Sequence, residues 1–474
     1  MSTTAASGSA AATVDAPSTE DKRIRIRLTT KDSRYALPES APILVPSSFR
    51  RLALSSLVNG LLEHDRPVPF DFIIRGSYLR SSLEDLLSAQ GISSETVVEA
   101  EYSPAQKVPQ YVCSFEHEDW VSAVDTVGSL AVRQQQGRIL SASYDGRIRV
   151  WNGSSQVLAT SAAPAQGGHW SFVKDAKFVS STQIVSAGFD RVVRVWKYQE
   201  EVDGLAANLT PELELHGHSA CIDAVDVHHA SHRVLTASAD HSIGLWSTRR
   251  AEAPALSAEM AATARESGKR RKLNVASPVA QRGPLSVLRQ HRQHVSGVIF
   301  DRKDSTVAYS TSWDQTLRTW DLVTSTVVDT RLTKHALLAV EQVPELQLVA
   351  TGTAGREISL IDPRASASAV TAMRLKGHRN AVVGLARDPA NNHRLASASH
   401  DGTCRVWDVR FTKQGQDGIT SQSLYTLGRH SLMGKATPEA GVGVQVYGVC
   451  WDDELGILSC GQDKCIQVNS SEPP

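Results

Sequence analysis

Seven segments of this chain repeat one pattern, and that repetition limits the possible fold more than any other feature. They are "ILSASYDGRIRVW" (139–151), "IVSAGFDRVVRVW" (184–196), "VLTASADHSIGLW" (234–246), "VAYSTSWDQTLRTW" (307–320), "LVATGTAGREISLI" (348–361), "LASASHDGTCRVW" (395–407) and "LSCGQDKCIQVN" (458–469). In five of them an Asp precedes a Trp by six positions; the fifth segment has Gly355 and Ile361 there, and the seventh keeps Asp463 but ends in Asn469. Each segment reads as two strands around a tight turn: small and β-branched residues alternate, a D-G-like turn follows, and a second alternating run ends at Trp. Upstream of most lies a His with another apolar run, as in "HEDWVSAV" (117–124), "GHSACIDAV" (217–225), "QHVSGVIF" (293–300) and "GHRNAVVGL" (377–385).

This pattern resembles the WD-repeat family over residues 108–470. Seven repeats imply a seven-bladed β-propeller with four antiparallel strands per blade. The resemblance also implies a hydrogen-bonded His–Asp–Ser/Thr–Trp chain in each full blade. The expected sets are His169, Ser186, Asp190 and Trp196; His218, Thr236, Asp240 and Trp246; His294, Ser310, Asp314 and Trp320; and His378, Ser397, Asp401 and Trp407. Buried polar groups must be paired, and such a chain pairs them. A set that recurs blade after blade behaves as architecture, whereas a hydrolase triad would occur once.

The last repeat ends near Asn469, so the strand it lacks is expected from the other end of the array. "VPQYVCSF" (108–115) fits, because ring closure removes an exposed sheet edge. Three polar stretches, 198–214, 248–287 and 411–443, read as long insertions that loop out or stay disordered. The second contains Lys269, Arg270, Arg271 and Lys272. That basic run suits nuclear import or contact with an RNA backbone, and otherwise is a solvated charge run.

Residues 22–102 are no repeat. "RIRIRLTT" (23–30) alternates charged with apolar residues as a half-exposed strand does, and a second extended stretch covers about 35–46. "FRRLALSSLVNGLLE" (49–63) carries a helical stripe of Leu52, Leu54, Leu57, Val58, Leu61 and Leu62. "FDFIIRG" (70–76) is a strand ending in a Gly turn. "SSLEDLLSAQG" (81–91) is a short helix that Ser81 or Ser82 caps, with Glu84 and Asp85 in its first turn and Gly91 at its end. "TVVEAEY" (96–102) is the closing strand. This order resembles the ubiquitin-like fold. The chain is therefore expected to be mainly β: a tail at 1–21, an α+β ubiquitin-like domain at 22–102, a linker at 103–107 and the propeller at 108–470.

The charge balance, 50 Lys plus Arg against 50 Asp plus Glu, argues against a dominant nucleic-acid surface. The six cysteines form no C-x-x-C pair and read as reduced, mostly buried thiols. The first residues lack the basic start and apolar run of a secretory signal, and no stretch approaches a membrane span. Neither a phosphate-binding loop nor a zincin motif appears, so no enzyme, no cofactor and no small-molecule substrate are expected.

A ubiquitin-like front joined to this propeller, with "PVPFDFIIRG", "RSSLEDLL" and "EDWVSAV", resembles the WD repeat-containing protein 12 family, whose fungal members are called YTM proteins. The resemblance implies a nucleolar and nucleoplasmic factor for the large ribosomal subunit. It implies a trimer with the block-of-proliferation WD-repeat protein and pescadillo on pre-60S particles, needed for processing toward 5.8S and 25S/28S rRNA. It further implies that midasin, an AAA ATPase, grips the ubiquitin-like domain to release the trimer. In this family a Glu in the loop before the last strand completes the coordination of Mg²⁺ held by the ATPase, and "GISSE" (91–95) places Glu95 there. Mg²⁺ demands hard oxygen ligands, which a protruding carboxylate supplies. Glu99 and Glu101 are the nearest rivals, both within the strand. The competing reading is an adaptor of the ubiquitin pathway, against which stands the absence of any F-box-like or RING-like segment.

Overall fold

The computed structural model describes residues 22–471, apart from 39–40, 64–66, 94, 106, 129–136, 202, 257–278, 366–370 and 416–417. The basic run at 269–272 and the tail at 1–21 lie outside the described residues. The chain divides into two compact units between Gln106 and Lys107.

The first unit is one mixed sheet with two helices. Its strands are β1 (Arg23–Thr29), β2 (Ile43–Pro46), β3 (Phe70–Ile74), β4 (Ser77–Tyr78) and β5 (Val98–Pro104), with α1 (Arg51–Leu62) and α2 (Leu83–Ala89). The sheet order is β2-β1-β5-β3-β4, and the central pair β1/β5 is parallel, with Ile26 opposite Val98. That is the ubiquitin-like arrangement. Alternation along β1 buries Ile24, Ile26 and Leu28 against Leu54 and Val58 of α1, Phe70 and Phe72 of β3 and Leu83 of α2. Period-2 patterning thus sends Arg23, Arg25 and Arg27 to the open face. The helical stripe is narrower than the sequence suggests: Leu54 and Val58 are buried, but Leu52 is 72% exposed and Leu61 also faces solvent. The extended stretch before β2 is shorter as well, with a 3-10 turn at Ser33–Tyr35. Ser82 is the residue that caps α2; its hydroxyl accepts from the Asp85 N–H while Asp85 accepts from the Ser82 N–H.

The second unit is a ring of seven antiparallel blades, each built on four strands from inside to outside. The innermost strand of each blade packs on that of the next, and the last packs on the first. Closure comes from Gln110–Glu116, which pairs with Cys465–Ser470 as the outer strand of blade 7. The repeat motif forms the two middle strands of each blade. In all seven blades the residue after the motif's Asp, or after Gly355, has positive φ. Only blades 1 and 6 use glycine there, at Gly146 and Gly402; Arg191, His241, Gln315, Arg356 and Lys464 bear the left-handed strain. The Asp offsets it by accepting the N–H two residues on, for example Thr316 N–H to Asp314 and Thr403 N–H to Asp401, both at 3.0 Å.

The expected insertions contain strands. Residues 207–215 are the outer strand of blade 2, joined by a tight hairpin to Val193–Glu200. The end of the second stretch supplies Ser286–Arg289, the outer strand of blade 3, and Ala280–Arg282, which extends blade 2. The third supplies Tyr425–Gly428 to blade 6 and a hairpin (Lys413–Gly415, Gly418–Ser421) that extends blade 5. Two of these outer strands are only four residues long and the third carries Pro211, and all are partly exposed, so their alternation is weak.

Candidate functional site

Glu95 sits in the loop between α2 and β5. The Ile92 N–H donates to Leu87 O at 2.9 Å and ties the loop to the end of α2. The Thr96 hydroxyl donates to Ser93 O at 2.9 Å, and the Glu95 N–H to Ser93 Oγ at 3.3 Å. These bonds fix the loop backbone and leave the Glu95 side chain exposed. Among the described residues nothing hydrogen-bonds or pairs with its carboxylate. The rivals differ. Glu99 faces Arg27 across the β1/β5 pair at 3.6 Å, and Glu101 lies 3.5 Å from Lys31. Both belong to the sheet's own charge pattern. A hard, anionic oxygen donor on a tethered loop is the ligand type that Mg²⁺ takes, so the residue present fits the role the resemblance implies. β5 starts at Val98, two residues later than the sequence pattern suggests, which lengthens the loop on which Glu95 stands.

The four expected blade chains resolve as follows. In blade 2, His169 Nδ1 lies 2.8 Å from Asp190 and Nε2 2.7 Å from Ser186 Oγ, to which Trp196 donates at 2.7 Å. In blade 3 the His218 contacts to Asp240 and Thr236 are 3.0 and 2.7 Å, with Trp246 on Thr236 at 2.8 Å. In blade 6 His378 meets Asp401 at 2.9 Å and Ser397 at 2.7 Å, with Trp407 on Ser397 at 2.8 Å. One tautomer satisfies every atom: Nδ1–H donates to Asp, and the hydroxyl donates to Nε2 while accepting from the indole. Ser186, Thr236, Ser310 and Ser397 are fully buried, so none can reach a substrate.

Blade 4 corrects the sequence reading. Its histidine is His291, not His294: His291 lies 3.0 Å from Asp314 and 2.7 Å from Ser310, and Trp320 donates to Ser310 at 2.7 Å. His294 instead bonds Asp223 of blade 3 and stacks on Trp313 at 4.6 Å. The signal was spacing. His117, His169, His218, His291 and His378 each precede the first residue of an inner strand by four positions, and His294 precedes Val295 by one. Replacing His291 by Ala removes the acceptor of the buried Ser310 hydroxyl and one donor to Asp314, and is expected to cost about 1–3 kcal/mol. His294→Ala removes a mostly buried pair that no blade chain depends on and is expected to cost less, about 1 kcal/mol. Melting temperatures of the two variants check the ranking.

The remaining blades improvise. In blade 1, His117 and Trp151 share Ser141 at 2.9 and 2.8 Å, but Asp145 pairs with Arg149 at 2.5 Å and His117 Nδ1 turns to Phe115 O. In blade 2 the buried Arg194 guanidinium also bonds Asp190. In blade 7 a buried arginine replaces the histidine. Arg429 clasps Asp463 at 2.8 and 2.7 Å and donates to Ser459 Oγ at 2.7 Å and Cys465 O at 2.7 Å.

These buried chains give the ring an acid-sensitive stability. Burial pulls His117 down to about 4 and also lowers His169, His291 and His378 from 6.5, so the imidazoles are neutral in the fold. Such groups protonate first in the unfolded chain; their contribution is complete above about 6.5 and declines as pH falls toward the folded value. Burial alone would raise Asp314, but bonds from Thr316, Arg292 N–H and His291 outweigh it and hold it at about 2. Its contribution is present above 3.8 and is lost as pH falls through about 2. Both have one sign; Asp175, which burial raises to about 6, and Asp388, also raised, have the other, and with four histidines against them the melting temperature is expected to fall below about pH 6.5. A thermal-melt series from neutral to acid pH checks this.

Comparison with known proteins bears on both units. Residues 24–87 match the NLE (NUC135) domain, and residues 109–152, 209–247, 282–321 and 370–408 match the WD domain, G-beta repeat. The chain is 53% identical over 470 residues to "Ribosome biogenesis protein ytm1" of Aspergillus clavatus, covering 96% of each chain. The chain belongs to this family. The "Ribosome biogenesis protein YTM1" of Ajellomyces capsulatus is 52% identical over 460 residues, covering 95% of this chain and 94% of that one. Family membership across both units makes this a ribosome biogenesis factor with an NLE domain and a WD-repeat propeller. The crystal structure of the WD40 propeller domain of Doa1 superposes with a TM-score of 0.54 over 77% of this chain and 97% of that one; at 16% identity it shows the fold alone.

Proposed function

We propose that the protein is a non-enzymatic assembly factor of the large ribosomal subunit, acting in the nucleolus and nucleoplasm. Its propeller holds the block-of-proliferation protein, and through it pescadillo, on pre-60S particles during pre-rRNA processing. Its ubiquitin-like domain offers the Glu95 carboxylate to a Mg²⁺ ion held by the midasin ATPase, which then pulls the assembly from the particle. The observation that carries the reading is the unengaged carboxylate of Glu95 on a backbone-fixed loop, beside Glu99 and Glu101 that are already paired. The non-enzymatic part is supported by the burial of every Ser or Thr in the blade chains. Purification of tagged wild-type protein followed by mass spectrometry tests it. Co-purifying block-of-proliferation protein, pescadillo and pre-60S factors support the reading. Ligase or proteasome subunits in their place would contradict it.

A further inference from the structure

One end of the propeller carries two features that the blade architecture does not use. This is the end where the inner strands begin and where the turns between the two middle strands lie.

The first feature is a continuous arc of rings. His400, in a blade 6 turn, meets Tyr447 of blade 7 at 5.7 Å. Tyr447 lies 6.2 Å from Trp120 and 6.0 Å from Tyr144 of blade 1. Tyr144 stacks on Phe172 of blade 2 at 4.9 Å, and Phe172 on Phe189 at 4.6 Å. Phe189 ends the arc 49% exposed. None of these rings belongs to a His–Asp–Ser–Trp chain. Aromatic clusters left on a surface mark contact sites, because large rigid rings bury much area at little entropic cost.

The second feature adjoins His400. Arg356 of blade 5 and Arg379 and Arg405 of blade 6 line a pocket of about 520 Å³, closed on one side by the 437–441 segment leading into blade 7. Asn380 ties that segment down through Ala440 O at 3.2 Å. Among the described residues none of the three guanidinium groups has an ion pair. Two acids, Asp401 and Glu439, also line it. Asp401 is spent: one oxygen takes His378 and the Arg379 N–H, the other the Thr403 N–H and hydroxyl. Arg405 donates to Ser423 at 3.1 Å, but its Nε is buried without an acceptor. Burial lowers the pKa of Arg405, and Arg379 adds to that while Asp401 opposes it. Three guanidiniums against one engaged carboxylate and Glu439 leave the cavity lining net positive, which suits an oxyanion.

We propose that this end of the ring, from the arginine pocket along the aromatic arc, is the docking surface for a protein segment that pairs acidic with apolar side chains. A carboxylate enters the pocket between Arg356, Arg379 and Arg405, and apolar side chains lie on the arc from Tyr447 to Phe189. Rings alone would also accept stacked bases. An RNA strand, however, needs a basic track along its backbone, and the cations beside the arc, Arg147, Lys174 and Arg191, share it with Glu118, Asp119 and Asp145. The assignment rests on the scaffold reading above in one respect, that the propeller works by holding proteins.

The test uses the full chain and the variant Arg356→Glu/Arg379→Glu, with Lys303→Glu on the opposite end as control. Arg356, Arg379 and Lys303 are exposed, so melting temperatures should match wild type. The first probe is a synthetic peptide of Glu, Leu and Phe, read by fluorescence anisotropy against an oligouridine of equal length. Wild type and the control should bind the peptide, and the double reversal should weaken it at least about tenfold. Phe189→Ser should weaken it separately. Equal peptide binding by all variants, no peptide binding at all, or preference for the oligouridine would overturn the proposal. The second probe is purified block-of-proliferation protein. Binding lost in the double reversal supports the surface, and binding that survives it overturns the assignment. If wild type fails to bind that protein, the scaffold reading falls, and the peptide decides the surface by itself.

Discussion

Glu95→Ala should leave the protein folded and assembled with its partners, yet retained on late pre-60S particles. The side chain supports nothing in its own domain, since the loop is held by Ser93, Thr96 and the Ile92 N–H and the carboxylate is exposed. Its removal therefore costs no fold stability. If the carboxylate ligates a metal in trans, losing it should cost at least the roughly 10–100-fold that loss of an outer-shell partner costs a metal site. Glu95→Asp should also impair release, because the oxygen is drawn back by one methylene. Glu99→Ala and Glu101→Ala should release normally, since these residues pair with Arg27 and Lys31 on the sheet. The readout is the fraction of tagged protein co-sedimenting with pre-60S particles.

Arg429→Ala should produce the largest loss of stability of any single change in the ring. The guanidinium is almost fully buried and forms a two-pronged bond to Asp463. Truncation leaves the buried Asp463 carboxylate without its counter-ion, held among the described residues only by the Ser431 hydroxyl, at a cost of about 3–5 kcal/mol. The damage falls at the closure of the ring. The neighbouring His430 stacks at 3.7 Å on Tyr111 of the closing strand, and Arg429 itself holds Cys465 O at the start of the strand that pairs with it. Hydrogen exchange should therefore quicken first in residues 110–116 and 465–470. Arg429→Lys should lie between, because a point charge cannot reproduce the forked geometry.

The sequence made the middle strands of every blade legible, because alternation and the Asp turn are local. It also showed the closing strand, because an unpaired seventh repeat demanded one. The outer strands at 207–215, 286–289 and 425–428 fall within or beside stretches that read as insertions, since half-exposed strands lose their alternation and Pro211 lies in the first. The substitute in blade 7 was hidden for a different reason: Arg429 lies 34 residues before Asp463, across a connection with no repeat of its own. His291 differs from His294 only in its distance from the inner strand, and the sequence reading that names His294 misses that spacing. The aromatic arc was invisible because each repeat contributes only one or two of its rings, and the ring of blades brings them together. The role of Glu95 rests on the resemblance, and the structure adds only that its rivals Glu99 and Glu101 are paired.

The most direct test of the account is the affinity of the purified full chain for the metal-binding domain of midasin, measured with Mg²⁺ and again with excess EDTA. The account predicts binding that requires Mg²⁺ in the wild type and falls at least about tenfold in Glu95→Gln, which keeps the shape but loses the anionic oxygen. Binding that persists in EDTA, or that is equal for wild type and Glu95→Gln in Mg²⁺, would contradict it.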